Sequence, residues 1–192
     1  MTRIYTRSGD GGQTSLGDGT RTEKSSHRID LYGDIDELNS ILGCSLASLG
    51  GDNATSLVTL RTALLDIQSQ LFQVGAVIAN PGRCLALAKD GSHPFPVRSL
   101  EVLIDSLTRD LEPLNGFILP GGTPGAGFLH LARTVCRRVE RKAVALAQDE
   151  PVPATVIAYL NRLSDFLFTA ARAVNAAAGV PDVQWRPTDQ DS

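Results

Sequence analysis

The sequence predicts an all-α fold: a five-helix up-down bundle preceded by a glycine-rich segment. Three observations carry that expectation. Apolar residues recur at three- and four-residue steps over several long windows, as one face of a helix requires. Clusters of Gly, Pro and Asn fall between those windows and break them. Residues 1–30 alone show no helical period.

Residues 1–30 are rich in Gly, Ser, Thr and charge, and read as loop with short extended pieces. From Tyr32 to Leu49 the positions Ile35, Leu38, Leu42, Leu46 and Leu49 form one stripe, and Gly50-Gly51 ends it. Asp52 or Asn53 caps a second helix, whose apolar set is Leu57, Leu60, Leu64, Ile67, Leu71, Val74 and Ile78. Asn80-Pro81-Gly82 stops that helix, and residues 83–96 are irregular. A third helix spans Val97 to Leu111, with Leu100, Leu103, Ile104 and Leu107 on one side and Pro113 beyond its end. Phe117-Ile118-Leu119 is a brief apolar stretch before the turn-rich Pro120-Gly121-Gly122-Thr123-Pro124-Gly125. A fourth helix follows from Ala126 to Ala147. The Pro151-Val152-Pro153 hinge leads into a fifth, Ala154 to Ala178, closed by Gly179 and Pro181. Long helices with modest loops bury their stripes best by alternating up and down. The expected layout is one domain: an N-terminal segment over 1–30, the bundle over 31–181, and a loose polar tail over 182–192.

Bulk properties narrow the function by exclusion. The chain has 192 residues, 42% of them hydrophobic, and a formal net charge of -3. Such a balance argues against a general affinity for nucleic acid or an anionic membrane. No apolar run approaches the roughly 20 residues of a membrane span. The three cysteines, Cys44, Cys84 and Cys136, have no ligand-like spacing. An odd count without an export signal points to free thiols in the cytoplasm. His27, His93 and His130 are scattered and do not suggest a zinc site.

Two segments bear chemistry. In Thr6-Arg7-Ser8-Gly9-Asp10-Gly11-Gly12-Gln13-Thr14, glycines let backbone N–H groups converge on an anion. Thr6, Ser8 and Thr14 add hydroxyls, Arg7 and Lys24 add charge, and Asp10 is a potential magnesium ligand. The ending of a Walker loop is missing, and a plain turn remains the alternative. In the fourth helix Arg133, Arg137 and Arg141 step by four and share a face, next to the core stripe Leu129, Ala132, Cys136, Val139 and Ala143. Glu140 stands three residues after Arg137 and can pair with it, whereas Arg138 points elsewhere. The face is either solvated or a clamp for phosphates, to which the planar guanidinium is suited. Asp34, Asp36 and Glu37 crowd the start of the first helix, where acids favour the dipole. Asp36 faces away from Ile35 and Leu38 and would take an arginine of the fourth helix as partner. Asn161 and Asp165, with Arg162 between them, sit in an apolar stretch and satisfy each other or a ligand. Phe117, before a Pro-Gly-Gly turn, is a core plug or a ligand contact.

In this order the segments resemble the PduO-type family of ATP:cob(I)alamin adenosyltransferases. The matching stretches are Tyr5 to Gly12 with Thr14 and Leu16; Tyr32-Gly33 with Asp36-Glu37-Leu38-Asn39; Phe117 to Gly122; Arg133 to Arg141; and Tyr159 to Asp165. The likeness runs from Arg3 to about Asn175. Ser8, Gln13 and Ser15 depart from the family's usual Thr, Thr and Gly.

The resemblance implies a homotrimer with ATP between subunits and Mg²⁺ held mainly through the phosphates. Thr6, Arg7, Ser8, Gly9, Asp10, Gly11, Gly12, Thr14, Lys24, Arg137, Glu140 and Asn161 would then face ATP. Asp36 and Arg133 would bridge the subunit interface. Phe117 would lie under the corrin of cob(I)alamin and exclude the lower ligand of cobalt, and Asp165 would support the site. Co(I) would attack C5′ of ATP and release triphosphate. A flavin-type or other reductase would supply Co(I), and an adenosylcobalamin-dependent acceptor enzyme would take the product. The rivals are a phosphotransferase on the same scaffold and a non-enzymatic corrinoid carrier or helical interaction module.

Overall fold

A computed structural model of the chain describes residues 4–5, 7–49, 55–80, 82 and 95–187. It opens with a hairpin of β1 (Gln13–Ser15) and β2 (Arg21–Glu23), antiparallel with Gln13 opposite Glu23 and Ser15 opposite Arg21. Five helices follow among the described residues: α1 (His27–Ser48), α2 (Thr55–Ile78), α3 (Val97–Thr108), α4 (Pro124–Asp149) and α5 (Ala154–Ala177). None of them is long and apolar enough to cross a membrane.

The hairpin turn is local chemistry. The Asp18 carboxylate accepts from the Thr20 N–H at 2.9 Å, and Gly19 has φ of 87°, which favours glycine. The tip is fastened to the bundle where the Gly17 N–H donates to the Ala79 carbonyl at 2.8 Å.

α1 begins at His27, not at Tyr32 as the apolar period suggests. The Ser26 hydroxyl caps it, accepting from the Ile29 N–H. The stripe starts with a charge, which hid it. Arg28 is only 3% exposed and continues the row of Leu31 and Ile35. Its Nη1 donates to the Ile78 carbonyl at 2.6 Å and its Nε to the Glu150 carboxylate at 2.7 Å. One buried cation therefore ties the ends of α2 and α4 to the start of α1. A buried charge is tolerable only with such partners.

Polar contacts give the helix directions. Asn39 and Gln68 each donate to the other's main-chain carbonyl, at 3.2 and 3.0 Å, while Arg61 donates to the Leu46 and Leu49 carbonyls that end α1. α1 and α2 are thus antiparallel. Lys142 meets Asp30 at 2.6 Å and the Ser45 hydroxyl donates to the Gly125 carbonyl at 3.1 Å, so α4 runs against α1. Asn161 donates to Glu140 and Asn175 to the Gly121 carbonyl, both at 2.9 Å, so α5 reverses again. α3 runs with α5: Glu101 faces Arg162 near their starts, and Leu107 and Leu111 share a cleft with Ala173 and Ala176 near their ends. The result is the expected up-down order.

The expected stripes form the core, with Leu38, Leu42, Leu64, Leu71, Leu129, Tyr159, Leu163 and Phe166 fully buried. Each such side chain contributes roughly 1.5–3 kcal/mol on leaving water. Cys136 belongs here too, donating to the Leu160 carbonyl at 3.2 Å, and burial pushes its thiol up. It is a packing residue, while Cys44 is exposed and free. Element ends differ by small amounts: α3 stops at Thr108 rather than Leu111, and α4 starts at Pro124, capped by Thr123. The proposed caps Asp52 and Asn53, together with Cys84 and His93, lie outside the described residues.

Candidate functional site

The N-terminal loop folds back on itself. The Gly12 N–H donates to the Gly9 carbonyl at 3.2 Å and the Asp10 N–H to the Arg7 carbonyl at 3.3 Å. Arg7 has φ of 61° and Gly12 of 85°. Left-handed backbone at both positions lets the chain turn sharply at each end of the loop. The Lys24 N–H donates to the Gly12 carbonyl at 2.9 Å. Its ammonium reaches over Gly9, where a Cβ would lie 3.2 Å from Nζ. The loop is held from below by Arg21, which donates to the Ser8 carbonyl at 3.1 Å. Gln13 is engaged across the hairpin, donating to the Glu23 carboxylate at 2.8 Å, and so points to β2. Arg7, Ser8, Gly9, Asp10, Gly11, Gly12, Thr14 and Lys24 thus belong to one small unit. Thr6 lies outside the described residues.

The charged side of α4 divides in two. Arg138 points elsewhere than the row of Arg133, Arg137 and Arg141, as spacing suggests, and meets Asp34 at 3.0 Å and also Glu37. Lys142 meets Asp30 and Asp34 at 2.6 and 2.9 Å. Partial burial pushes the Asp34 carboxyl up, yet bonds from Lys142 and Arg138 outweigh it and hold it below the usual carboxylate range. The acids of α1 therefore serve a ladder to α4 rather than the helix dipole. Asp36 is left out of the ladder and is exposed.

Arg133, Arg137 and Arg141 form the other row, and none makes an ion pair among the described residues. Arg133 is half-buried and its Nε has no hydrogen-bond partner. Burial, then the charge of Arg137 one turn away, lower its hold on its proton. Glu140 does not take Arg137. It accepts from Asn161 at 2.9 Å, joining α4 to α5. Asp165 accepts from Arg162 at 3.1 Å, and Arg162 also lies 3.1 Å from Glu101. Arg133, Arg137, Glu140 and Asn161 are thus assembled on two adjacent helices.

The third part is the loop before α4. Phe117 is 79% exposed, which overturns its reading as a core plug. It stands beside a cavity of about 520 Å³ lined also by Leu114, Ile118, Pro120, His130, Arg133 and Phe168. The loop is pinned at its far end. Gly122 has φ of 104°, and a Cβ there would lie 2.2 Å from Asn175 Oδ1. The buried Asn175 accepts from the Thr123 N–H and donates to the Gly121 carbonyl, both at 2.9 Å. The tail read as loose from Asp182 is tied here as well. The Leu119 N–H donates to the Val183 carbonyl and the Trp185 N–H to the Phe117 carbonyl, each at 2.8 Å. The Trp185 ring stands edge-on to Phe117, with centroids 6.4 Å apart. Backbone pairing, which side-chain pattern does not register, orders residues 182–185.

His130 escaped the sequence reading of the site. It is 4% exposed, its Nδ1 has no partner, and its ring meets Phe168 edge-on at 6.1 Å. Burial and then Arg133 hold its imidazole below the usual range, with Asp182 opposing. Its position one turn before Arg133 was the available signal. Asn175, Arg172 and Trp185 were also missed, because each acts through a loop distant in sequence.

Phe117 and Arg133 meet at one cavity, while the N-terminal loop stands apart. Among the described residues no hydrogen bond or ion pair joins Gly9–Thr14 or Lys24 to Arg133, Arg137, Glu140 or Asn161. Asp36 and Arg133 likewise do not pair within one chain. No group of three or more His, Cys, Asp or Glu side chains forms a metal-holding cluster among the described residues.

The sequence and the fold are shared with known proteins. Residues 4–174 match the family model for cobalamin adenosyltransferase. A corrinoid adenosyltransferase of Bacillus subtilis is 45% identical over 185 residues, covering 95% of this chain and 92% of that protein. A cobalamin adenosyltransferase of Cupriavidus metallidurans is 43% identical over 188 residues, covering 97% and 95%. Among solved structures, a variant PduO-type ATP:corrinoid adenosyltransferase from Lactobacillus reuteri, complexed with cobalamin and ATP, superimposes with a TM-score of 0.86 at 36% identity, over 96% of this chain and 97% of that one.

Proposed function

We propose that this chain, which belongs to the cobalamin adenosyltransferase family, moves the 5′-deoxyadenosyl group of ATP onto the cobalt of cob(I)alamin. The Co(I) electron pair attacks C5′, the C5′–oxygen bond breaks, and inorganic triphosphate leaves. Co(I) supplies its own nucleophilic pair, so no side-chain base is needed. The protein's part is to align cobalt with C5′ and to stabilise the leaving charge.

The residues divide that work. Arg7, Ser8, Gly9, Asp10, Gly11, Gly12, Thr14 and Lys24, with Thr6, are the proposed triphosphate loop. Arg137, Glu140 and Asn161 face ATP from α4 and α5, and Asp165 supports them. A magnesium ion, which the phosphate oxygens and Asp10 would hold, would supply charge to stabilise the leaving group. Phe117 takes the lower face of the corrin and keeps a lower ligand from cobalt, which makes Co(II) easier to reduce.

The observation that carries this reading is Phe117. An aromatic side chain 79% exposed, on a loop held by Asn175 and beside a cavity lined by Arg133 and His130, is a contact awaiting a large planar ligand. The separation of loop and arginine row within one chain supports an ATP site completed between subunits of a homotrimer. Asp36 and Arg133 then pair across the interface. Tyr32, Leu65 and Phe72, exposed on α1 and α2 with Asp36 nearby, supply apolar area for such a contact. A reductase that delivers Co(I) and an acceptor enzyme for the product are the partners this chemistry requires.

Purified protein, MgATP and chemically reduced cobalamin provide the test. The cob(I)alamin spectrum should give way to that of adenosylcobalamin, with one triphosphate released per cobalt alkylated. Release of diphosphate would favour the phosphotransferase instead, and binding without alkylation would leave a carrier.

A further inference from the structure

We infer that Arg172 is a positioning residue for the corrinoid: a buried clamp that holds the Phe117 loop and the Trp185 strap against each other. The inference rests on the adenosyltransferase reading above.

Arg172 lies on α5, only 7% exposed. Its Nε donates to the Asp182 carboxylate at 2.6 Å, and its Nη2 donates to the Glu112 carbonyl at 2.6 Å. Neither partner is on a helix. Glu112 begins the loop that leads to Phe117, and Asp182 begins the strap that leads to Trp185. The guanidinium is therefore a three-way joint between α5 and two irregular segments. Beyond the joint those segments meet through the 117–119 and 183–185 backbone bonds and the edge-on aromatic pair. Asp182 also faces His130 electrostatically, on the wall of the same cavity.

The apolar core is built from other residues than Arg172, Glu112 and Asp182. Breaking the joint frees the two segments and leaves the helices in place. One freed segment carries Phe117 at the cavity, and the other carries Trp185, whose ring stands edge-on to Phe117. The guanidinium is suited to the task because its fork satisfies a carboxylate and a carbonyl at once, in one plane, which an ammonium cannot do.

The chain contains one tryptophan, so its emission reports Trp185 alone. Full-length Arg172→Ala, Arg172→Lys and Asp182→Asn are compared with wild type in three measurements. These are the emission maximum and acrylamide quenching of Trp185, the affinity for cob(II)alamin in the presence of MgATP, and the affinity for ATP alone. In Arg172→Ala and Asp182→Asn the emission should shift to the red and quenching should rise. Cob(II)alamin should bind about tenfold to a hundredfold more weakly, as misplacement at a distance allows, while ATP binds as before. Arg172→Lys should fall between.

Unchanged Trp185 emission and cob(II)alamin affinity in Asp182→Asn would overturn the clamp. So would equal losses for ATP and corrinoid, which mean general damage. Should Arg172→Ala fail to fold, Asp182→Asn decides, because it keeps the bond from Arg172 to Glu112. A wild type that binds no corrinoid with MgATP would sink the adenosyltransferase reading instead. The Trp185 measurements would then still judge the clamp.

Discussion

Phe117→Ala separates packing from catalysis, and the structure sets the size of each effect. Were Phe117 a core residue, its truncation would cost ~3–5 kcal/mol through the cavity left behind. It is 79% exposed, so only about a fifth of its surface is buried to begin with. Full burial of such a side chain contributes roughly 1.5–3 kcal/mol, so the buried part is worth about 0.5 kcal/mol. The edge-on contact with Trp185 adds about 0.5–1.5 kcal/mol. The expected total is ~1–2 kcal/mol, a fall in Tm of a few degrees for a chain of this size.

The catalytic consequence should be much larger and should depend on the assay. With cob(II)alamin and a reductase, the variant lets a lower ligand return to cobalt and the potential falls out of the reductase's reach. Turnover should collapse. With chemically reduced cob(I)alamin the loss should be smaller, because Co(I) has little affinity for a lower ligand. Equal losses in both assays, together with a Tm drop of the core-truncation size, would refute the argument.

Arg137→Ala should lower kcat by ~100-fold or more with the fold intact, because charge beside the leaving triphosphate is lost; Arg137→Lys should recover part of it, and near wild-type kinetics in Arg137→Ala would mean that the arginine does not face the phosphates. Asp36→Ala should weaken assembly by ~3–5 kcal/mol if its pair with Arg133 is buried between subunits; light scattering reads this, and a wild type that scatters as a monomer removes the interface. Gly122→Ala combines φ of 104° with a Cβ 2.2 Å from Asn175 Oδ1, and should lower Tm by several degrees; an unchanged Tm would show that the Pro-Gly-Gly turn is not locked by Asn175. His130 has a lowered folded-state pKa, so the unfolded chain takes up its proton first as pH falls. Its contribution is whole above a pH of about 6.5 and is lost as pH falls through the folded value. Thermal scans from neutral to mildly acid pH should show a shallower loss in His130→Gln, and parallel curves would contradict the assignment.

The bundle was legible because its signal is periodic. Leu38, Leu42, Leu64, Leu71 and Leu129 repeat at helical steps, and all are buried as that repetition requires. The start of α1 was not legible, because Arg28 holds a core position with a charge. Only the distant Ile78 carbonyl and Glu150 carboxylate make that tolerable, and neither is visible from residue 28. The same limit applies to the strap. Residues 182–185 are too short a stretch to show a period, and their order comes from main-chain bonds to the Phe117 loop.

The sequence offers candidate residues but not their arrangement, and α4 shows why. Arg133, Arg137, Arg138 and Arg141 have the same chemistry, and spacing tells only which of them share a face. What divides them is the neighbour. Arg138 meets the acids of α1, and that side of the helix is neutralised within the chain. Arg133, Arg137 and Arg141 meet no acid among the described residues, and Arg133 even buries an unpartnered Nε beside the Phe117 cavity. Burying part of a guanidinium next to another cation is costly unless an anion arrives. On the proposed reading that cost would be recovered when a carboxylate of another subunit or a phosphate fills the gap. A row of arginines left unpaired by its own fold is therefore a stronger sign of an anionic ligand than the same row read in sequence.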